Sequence, residues 1–178
     1  MLVKKVELYQ NDQYVKTQIQ ANNEASRRWD ELLKASDPGY ADFSCDDTQW
    51  QQINQNGWMW RGIGSIWLRQ HITIDKEHAG KPARLLLGTL FDHDITYLNG
   101  KEIGHTYYKY PPRRYDIPEG LLREGDNVIA IRFINKYGAV HFIPEKPYLI
   151  AFGDDRFSQN PMPKDVIPLS ENWKFHLG

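Results

Sequence analysis

Tyrosines crowd one short segment and are the side chains best suited to ligand binding. The segment His105–Arg114 reads HTYYKYPPRR and contains Tyr107, Tyr108 and Tyr110, followed by Arg113 and a second arginine. Aromatic rings offer large, rigid apolar faces that can stack on flat ligands such as sugar rings. An arginine guanidinium binds a carboxylate through two parallel hydrogen bonds. The segment therefore predicts a loop that binds carbohydrate.

Two other aromatic segments follow the same pattern. Asn56–Trp60 reads NGWMW and Asn135–Phe142 reads NKYGAVHF, and both are predicted to lie between strands. Loops on a rigid scaffold commonly carry function. The alternative is that these rings close the ends of the β domain or pack on a neighbouring domain, and Trp67 is expected in the core. The predicted carbohydrate-binding residues are Trp58, Trp60, Tyr107, Tyr108, Tyr110, Arg113, Tyr137 and His141.

Catalytic patterns are weak by comparison. Asp75-Lys76-Glu77-His78 has the Asp-x-x-His spacing of some serine hydrolases, but it lies at a predicted strand end and is interpreted as structural. Ser65 lacks the Gly-x-Ser-x-Gly frame of a nucleophile elbow, and no base with an orienting group accompanies it. The six histidines are scattered rather than spaced as metal ligands. We predict no catalytic residue, no metal site and no cofactor.

An acidic pair and a turn are predicted to act as scaffold. Asp92 and Asp94 stand two apart on a predicted strand and so point to one face. A metal or sugar ligand role is the alternative, but a bare pair cannot supply the roughly six to eight oxygens around calcium. Asn99-Gly100 favours a type I′ hairpin turn, which needs positive φ at both positions. All four residues are interpreted as structural, with the aspartates bonding to backbone groups beside the turn.

The composition narrows the class of function. Of 178 residues, 22 are Lys or Arg and 23 are Asp or Glu, giving a formal net charge of −1. Because no basic excess is available to release phosphate counterions, nucleic acid is not an expected partner. Cys45 is the only cysteine, which excludes an internal disulfide. No apolar run reaches membrane-spanning length and the first residues lack a signal-peptide core, so neither a membrane nor a signal peptide is expected.

Hydrophobic periodicity predicts one helix followed by many strands. Residues 22–36 carry apolar side chains at helical spacing, and an Asp-Pro-Gly sequence ends the segment. From Trp50 the period becomes two, with Ile66–Ile74 as a half-buried strand and Arg84–Leu90 as a central one. Further strands are expected around 129–133, 147–152 and 172–177, which indicates a sandwich or barrel. The apolar face of the helix is formed by Ala25, Trp29, Leu32 and Leu33.

The order of these motifs resembles that of galactose-binding-like jelly rolls. Over residues 50–149 the chain presents strand Trp67–Ile74, the acidic pair, a Tyr-x-Asn-Gly hairpin and strand Gly125–Arg132. The general form is similar to the sugar-binding domain of family 2 glycoside hydrolases. The closer resemblance is to the jelly roll inserted in sialate O-acetylesterases of the SGNH hydrolase superfamily, where Asp-x-Asp precedes the hairpin. The flanking helix and the closing PLSENWKFHLG agree with it.

This resemblance implies an all-β jelly-roll β-sandwich at residues 41–178, preceded by a helical connector at residues 1–40. The implied function is that of a non-catalytic domain of a sialate O-acetylesterase acting on O-acetylated sialic acids. The catalytic Ser and His would lie in an SGNH hydrolase domain of the same parent chain, which would be periplasmic or extracellular. The domain would shape the active-site rim or bind a glycan, with Arg113, Arg114 or His141 meeting the carboxylate of sialic acid.

Two alternatives stay open. One is an independent carbohydrate-binding module, in which the aromatic loops bind a glycan without any partner domain. The other is the N-terminal sugar-binding domain of a family 2 glycoside hydrolase. The helix before Trp50 argues against the second alternative, because such domains usually start directly with strands.

Overall fold

One helix and thirteen strands make up the described part of the chain. The computed structural model describes residues 12–35, 39–91, 93–108, 110–135, 138–158 and 163–178. The chain separates into two compact units, Met1–Pro38 and Gly39–Gly178. The first contains the helix and the second contains all the strands. The prediction of an all-β sandwich with an N-terminal helix is confirmed.

Helix α1 spans Asp12–Ala35 and is longer than the predicted segment at 22–36. It starts earlier because Val15 and Ile19 continue the helical spacing of apolar residues upstream of Asn22. The side chains of the predicted apolar face and residues 36–38, which were expected to end the helix, lie outside the described residues. No helix in the described ranges is both long and apolar enough to cross a membrane.

The strands are short apart from two central ones. Strands β3 and β9 pair antiparallel along their whole length, from Gly64 opposite Asn135 to Ile74 opposite Gly125. A single 3-10 turn at Asp154–Phe157 interrupts the described strands. The strands are β1 (Gln51–Asn54), β2 (Met59–Arg61), β3 (Gly64–Ile74), β4 (Ala83–Leu87), β5 (Leu90–Phe91), β6 (His93–Leu98), β7 (Lys101–Thr106), β8 (Arg114–Ile117), β9 (Gly125–Asn135), β10 (Ala139–Phe142), β11 (Tyr148–Ala151), β12 (Val166–Pro168) and β13 (Asn172–Leu177).

The strands form three sheets that enclose one apolar core. The largest sheet has the order β1-β13-β3-β9-β6-β7, the second β12-β11-β4-β8 and the smallest β2-β10-β5. Alternate residues of the long strands, such as Leu68 and Ile131, are fully buried between the sheets. They pack with Leu85 and Ile150 of the four-stranded sheet. A β-sandwich buries the facing apolar sides of its sheets, to which every second residue of a strand contributes.

The outer face of strand β3 is partly covered, whereas the predicted half-buried strand would expose it. Trp67 and Arg69, which alternate with the core residues, have 0% of their surface exposed. The segment 39–50 covers them. Within this cover, the Tyr40 ring lies edge-on to both Trp50 and Trp67, with ring centroids 5.1 and 5.9 Å apart. A second, smaller apolar cluster therefore lies on the outside of the six-stranded sheet.

The hairpin between β6 and β7 confirms the turn prediction. Asn99 has a φ of 52° and Gly100 a φ of 84°, as a type I′ turn requires. The Asn99 side chain also accepts a hydrogen bond from the Val128 backbone and donates to the Leu121 carbonyl, at 2.9 and 3.0 Å. These bonds join the turn to strand β9 and to the segment that precedes it.

Candidate functional site

Several loops leave the six-stranded sheet at the same end. In the paired strands Asp94 lies opposite Thr106, His93 opposite Ile134, and Gly64 opposite Asn135. The loop after β7 therefore lies beside the segments that precede β6, follow β9 and precede β3. We call this the tyrosine end of the sandwich. The Asn99-Gly100 hairpin lies at the opposite end.

The three tyrosines of the loop after β7 are exposed. Tyr107, Tyr108 and Tyr110 keep 60%, 57% and 60% of their surface open to solvent. Tyr108 and Tyr110 pack edge to face at 5.1 Å, and His105 lies over Tyr107 at 4.8 Å. Such contacts hold the rings in place while leaving apolar faces open. The structure thus brings three of the sequence-predicted binding residues together on one surface.

Arg113 lies at the base of this loop and is wholly buried. Its Nε donates to Asp94 Oδ1 at 2.6 Å and its Nη1 donates to the Pro111 carbonyl at 2.8 Å. Both side chains of the ion pair have 0% exposure. A guanidinium in this position holds the loop to the sandwich and does not face a ligand from solvent, which departs from the predicted role of Arg113 in sugar binding.

Asp94 links the two large sheets and not the hairpin turn. Besides Arg113, its carboxylate accepts hydrogen bonds from Tyr115 at 2.7 Å and Thr96 at 3.1 Å. Burial raises the pKa of Asp94, whereas Arg113 and the two hydroxyls oppose that rise. Burial and the nearby carboxylate also raise the pKa of Tyr115. The partners of Asp94 are side chains and not the backbone groups that were expected, and its structural role stays a prediction; Asp92 lies outside the described residues.

A cavity of about 240 Å³ opens beside the loop. Four segments of the chain meet there, and backbone bonds between Leu87 and Arg113 and between Arg113 and Gly88 join two of them at 3.0 and 2.7 Å. A Cβ on Gly88, which has a φ of 55°, would lie 2.7 Å from Lys146 Cβ, so the loops touch closely. The lining residues are Leu86, Gly88, Thr89, Pro112, Arg113, Arg114, Lys146, Pro147 and Ser158.

Sequence reasoning missed Thr89, Lys146 and Ser158 as neighbours of the tyrosine loop. They lie in three separate connections, and no periodicity or local motif relates them to each other. The break between β4 and β5 at Gly88 was also missed, since Arg84–Leu90 reads as one continuous apolar strand. A glycine inside an apolar strand was the available signal, because it often marks a bend or close backbone approach.

The remaining predicted binding residues lie elsewhere or outside the described residues. Trp58 and Trp60 are half-buried and pack on the core, Trp58 at 5.7 Å from the Phe175 ring. His141 is half-buried on β10, and desolvation with the charge of Arg61 lowers its pKa. Both aromatic segments that were predicted as loops contain a strand, β2 and β10. Tyr137 lies outside the described residues.

The His78 side chain joins two loops through contacts with one aspartate in each. Its Nδ1 lies 2.8 Å from Asp75 Oδ1 and its Nε2 lies 2.9 Å from Asp165 Oδ1, while the ring packs on Phe152 at 4.4 Å. The hydrogen bond with Asp165 raises the pKa of His78, and Asp75 adds to this against a smaller effect of burial. The Asp-x-x-His spacing therefore serves structure, as predicted. Within the described ranges no three His, Cys, Asp or Glu side chains form a metal cluster.

Comparison with curated proteins finds a glycoside hydrolase. The chain is 27% identical over 118 residues to the beta-galactosidase BoGH2A of Bacteroides ovatus. The match covers 58% of this chain and 14% of that protein, so the chain spans about one seventh of the curated relative. No family model matches the chain.

One solved structure supports a shared fold. Part of the Bacteroides uniformis beta-glucuronidase superposes with a TM-score of 0.50 at 24% identity, covering 58% of this chain and 13% of that one. A beta-glucuronidase from glycoside hydrolase family 2 gives a lower TM-score of 0.48 at 20% identity, with the same coverage of both chains. The first likeness establishes that the β-sandwich fold is shared with a domain-sized part of a carbohydrate-active enzyme.

The assignment to a sialate O-acetylesterase was wrong, because the relatives found are glycoside hydrolases. The features that supported it, an acidic strand residue and a Tyr-x-Asn-Gly hairpin, hold the sandwich together. They are properties of the scaffold and do not distinguish one parent enzyme from another. The helix was also a poor argument against a glycosidase, since it lies in a separate compact unit.

Proposed function

We propose that this chain is a non-catalytic, sugar-binding β-sandwich domain of a family 2 glycoside hydrolase, with the tyrosine end as its binding surface. The observation that carries the proposal is the sequence likeness to the Bacteroides ovatus beta-galactosidase. The shared sandwich fold supports it. The substrate of the whole enzyme would be a β-galactoside or a β-glucuronide, as the names of these relatives suggest.

The two buried carboxylates among the described residues are engaged in ion pairs and do not form a hydrolytic pair. Glycoside hydrolysis uses two carboxyl groups on either side of the sugar bond, about 5 to 9.5 Å apart. Asp94 is completely buried and bonded to Arg113. Asp47, which is 5% exposed, is bonded to Arg69 and Lys174. Neither of these two buried groups is available to a sugar.

The exposed tyrosines support the location of the site. Solvent-exposed large apolar side chains normally occur singly, yet three lie within four positions here and stay more than half open. The buried Arg113 and Asp94 hold the loop that bears them. The open ring faces of these tyrosines suit stacking on a sugar ring.

The test uses the 178-residue chain with methyl β-galactoside and methyl β-glucuronide, observed by NMR titration. Tyr108→Ala should weaken binding about tenfold, the loss expected from one aromatic contact of about 1.4 kcal/mol. Tyr108→Phe keeps the ring and should retain most of the affinity. Phe43→Ala removes an exposed ring at the opposite end, where Phe43 stacks on Arg123, and should leave binding unchanged.

Two results would overturn the proposal. Release of nitrophenol from nitrophenyl β-galactoside or β-glucuronide by the purified chain would contradict the non-catalytic role. Absence of saccharide binding, or binding that Tyr108→Ala and Tyr110→Ala leave intact, would contradict the tyrosine end as the site.

A further inference from the structure

We propose that the cavity beside the tyrosine loop binds the carboxylate of an acidic saccharide, through Arg114 and Lys146. This inference rests on the proposed function and narrows its ligand to sugars with a carboxylate at the ring. It assigns the recognition of that charge to the sandwich itself. The geometry of the cavity, its charges and its position beside the tyrosines carry it.

The two cations line the cavity from different segments of the chain, one on a strand and one on a turn. Arg114 is half-buried on β8, where its backbone is in register with Leu86 of β4. Lys146 is exposed on the turn between β10 and β11, and its Cβ packs tightly against Gly88. Thr89 and Ser158 add hydroxyl groups to the lining. The cavity thus combines positive charge with neutral donors and acceptors, which a carboxylate next to sugar hydroxyls requires.

No carboxylate neutralises these two cations among the described residues. None of the nine residues that line the cavity is acidic, and neither the Arg114 nor the Lys146 side chain has an ion-pair partner in the described ranges. The neighbouring Asp116 is held by Arg84 at 3.4 Å, and Asp155 accepts the Lys164 backbone N–H at 3.1 Å. Glu145, next to Lys146 in sequence, is exposed on the turn.

Arg113 is a third cation at the cavity, but Asp94 already neutralises its charge. The Arg113 guanidinium lines one side of the cavity, but Asp94 holds it at 2.6 Å. That pair fixes the wall and leaves ligand charge to Arg114 and Lys146. Because the whole chain has a formal net charge of −1, this local excess of positive charge is a property of the site and not of the protein.

Size and position favour a single sugar unit. The volume of about 240 Å³ lies below the roughly 300–1,000 Å³ of drug-sized ligand sites. Pro112 lines the cavity and follows Tyr110 by two residues, so the tyrosine loop runs directly into the cavity wall. A sugar ring against the tyrosines would direct its carboxylate to the cations. An acidic side chain of another protein domain would satisfy the cations but would not explain the open tyrosine rings.

The test compares methyl β-D-glucuronide with methyl β-D-glucoside, which differ at C6 alone, by calorimetry on the full chain. We expect the acidic sugar to bind at least about tenfold more tightly at low ionic strength, a difference of about 1.4 kcal/mol. Arg114→Gln and Lys146→Gln should each remove most of that preference, because they lower the glucuronide affinity much more than the glucoside affinity. Lys101→Gln, at the exposed hairpin of the opposite end, is the matched control. Added salt should reduce the preference.

Each contrary outcome has a distinct meaning. Equal affinity for the two sugars, with Tyr108→Ala still weakening binding, would overturn this inference and leave the proposed function intact. No binding of either sugar would overturn both. Tighter binding of a glutamate-rich peptide than of the glucuronide, lost in Arg114→Gln, would assign the cavity to a protein partner and overturn the inference.

Discussion

Two aspartates lie on opposite faces of the six-stranded sheet, and each accepts hydrogen bonds from three donor residues. Their pKa values nevertheless shift in opposite directions. Asp94 lies between the sheets and is bonded to one cation and two hydroxyls. Asp47 lies on the outer face and is bonded to Arg69, His71 and Lys174 at 2.9, 3.1 and 2.7 Å. The number of donors is equal. The number of cationic groups is higher at Asp47, which is bonded to both Arg69 and Lys174.

The difference appears in the pKa of each carboxyl. For Asp94 burial is the largest influence, and the pKa is raised. For Asp47 desolvation also acts upward, but hydrogen bonds from Lys174, Arg69 and His71 outweigh it and lower the pKa to about 2. The balance between desolvation and the hydrogen bonds that each carboxylate accepts therefore decides the direction of its pKa shift. Asp94 fixes geometry, whereas Asp47 makes the fold sensitive to acid.

The largest effect is expected from Asp94→Ala. It leaves the Arg113 guanidinium buried without its carboxylate, which should cost about 3–5 kcal/mol of unfolding free energy. Urea denaturation at pH 7 measures it. The double variant Asp94→Leu with Arg113→Met removes both charges and should recover much of the loss. A loss below about 1 kcal/mol in Asp94→Ala would mean that the pair does not hold the sheets together.

Asp47→Asn comes next. The pKa of Asp47 falls from 3.8 in the unfolded chain to about 2 in the folded one, so ionised Asp47 contributes about 2 kcal/mol above pH 4. Because the folded pKa is the lower one, that contribution is lost as pH falls from about 4 towards 2. The variant should be less stable at pH 7 and should lose less on acidification. Exposed Asp154→Asn is the control and should follow the wild type.

Thr96→Val tests the weakest contact of Asp94. It removes one hydroxyl donor at 3.1 Å while keeping the side-chain shape, and should cost about 1 kcal/mol. Tyr115→Phe removes the hydroxyl that donates to Asp94 at 2.7 Å and should cost somewhat more unfolding free energy. Equal losses for Thr96→Val and Asp94→Ala would show that the hydroxyls, and not the Arg113 charge, dominate at this carboxylate.

The smallest effect is expected from His78→Gln. The pKa of His78 is raised by Asp165 and Asp75, so its contribution is complete below the unfolded value of 6.5 and is lost as pH rises through the folded pKa. Since both carboxylates are about half exposed, the contribution should be under about 1 kcal/mol. Melting temperatures of wild type and variant should differ at pH 5.5 and converge at pH 9; a constant difference would contradict this role of His78.

Local chemistry made some of the structure predictable. The Asn99-Gly100 turn was identified because its backbone requirement is met by two adjacent residues. Strands β3 and β9 were identified from alternation alone. The cover over Trp67 and Arg69 was not, because the segment 39–50 has no strand or helix period. Its contacts arise only once the sheet exists.

The candidate site was predictable in part for the same reason. The tyrosine loop was visible as a cluster within one segment, and its role in sugar binding stays a prediction. The pairing of Asp94 with Arg113 depends on how two sheets stack, and the cavity depends on four separate segments meeting. The parent enzyme could not be read from Asp94 and the hairpin, since both serve the scaffold. The proposed site is built by loops from distant parts of the chain, which leave no shared local pattern in a single sequence.

The position of β13 has a consequence for the order of folding during synthesis. This strand lies between β1 and β3, and Lys174 pairs with Arg69 more than a hundred positions earlier in the chain. In the described sheets β1 has no neighbour except β13. A nascent chain that ends before Asn172 therefore leaves β1 without a partner and the outer edge of β3 unpaired. Completion of the largest sheet must wait for these residues, and until then the unpaired edge is the part most prone to association.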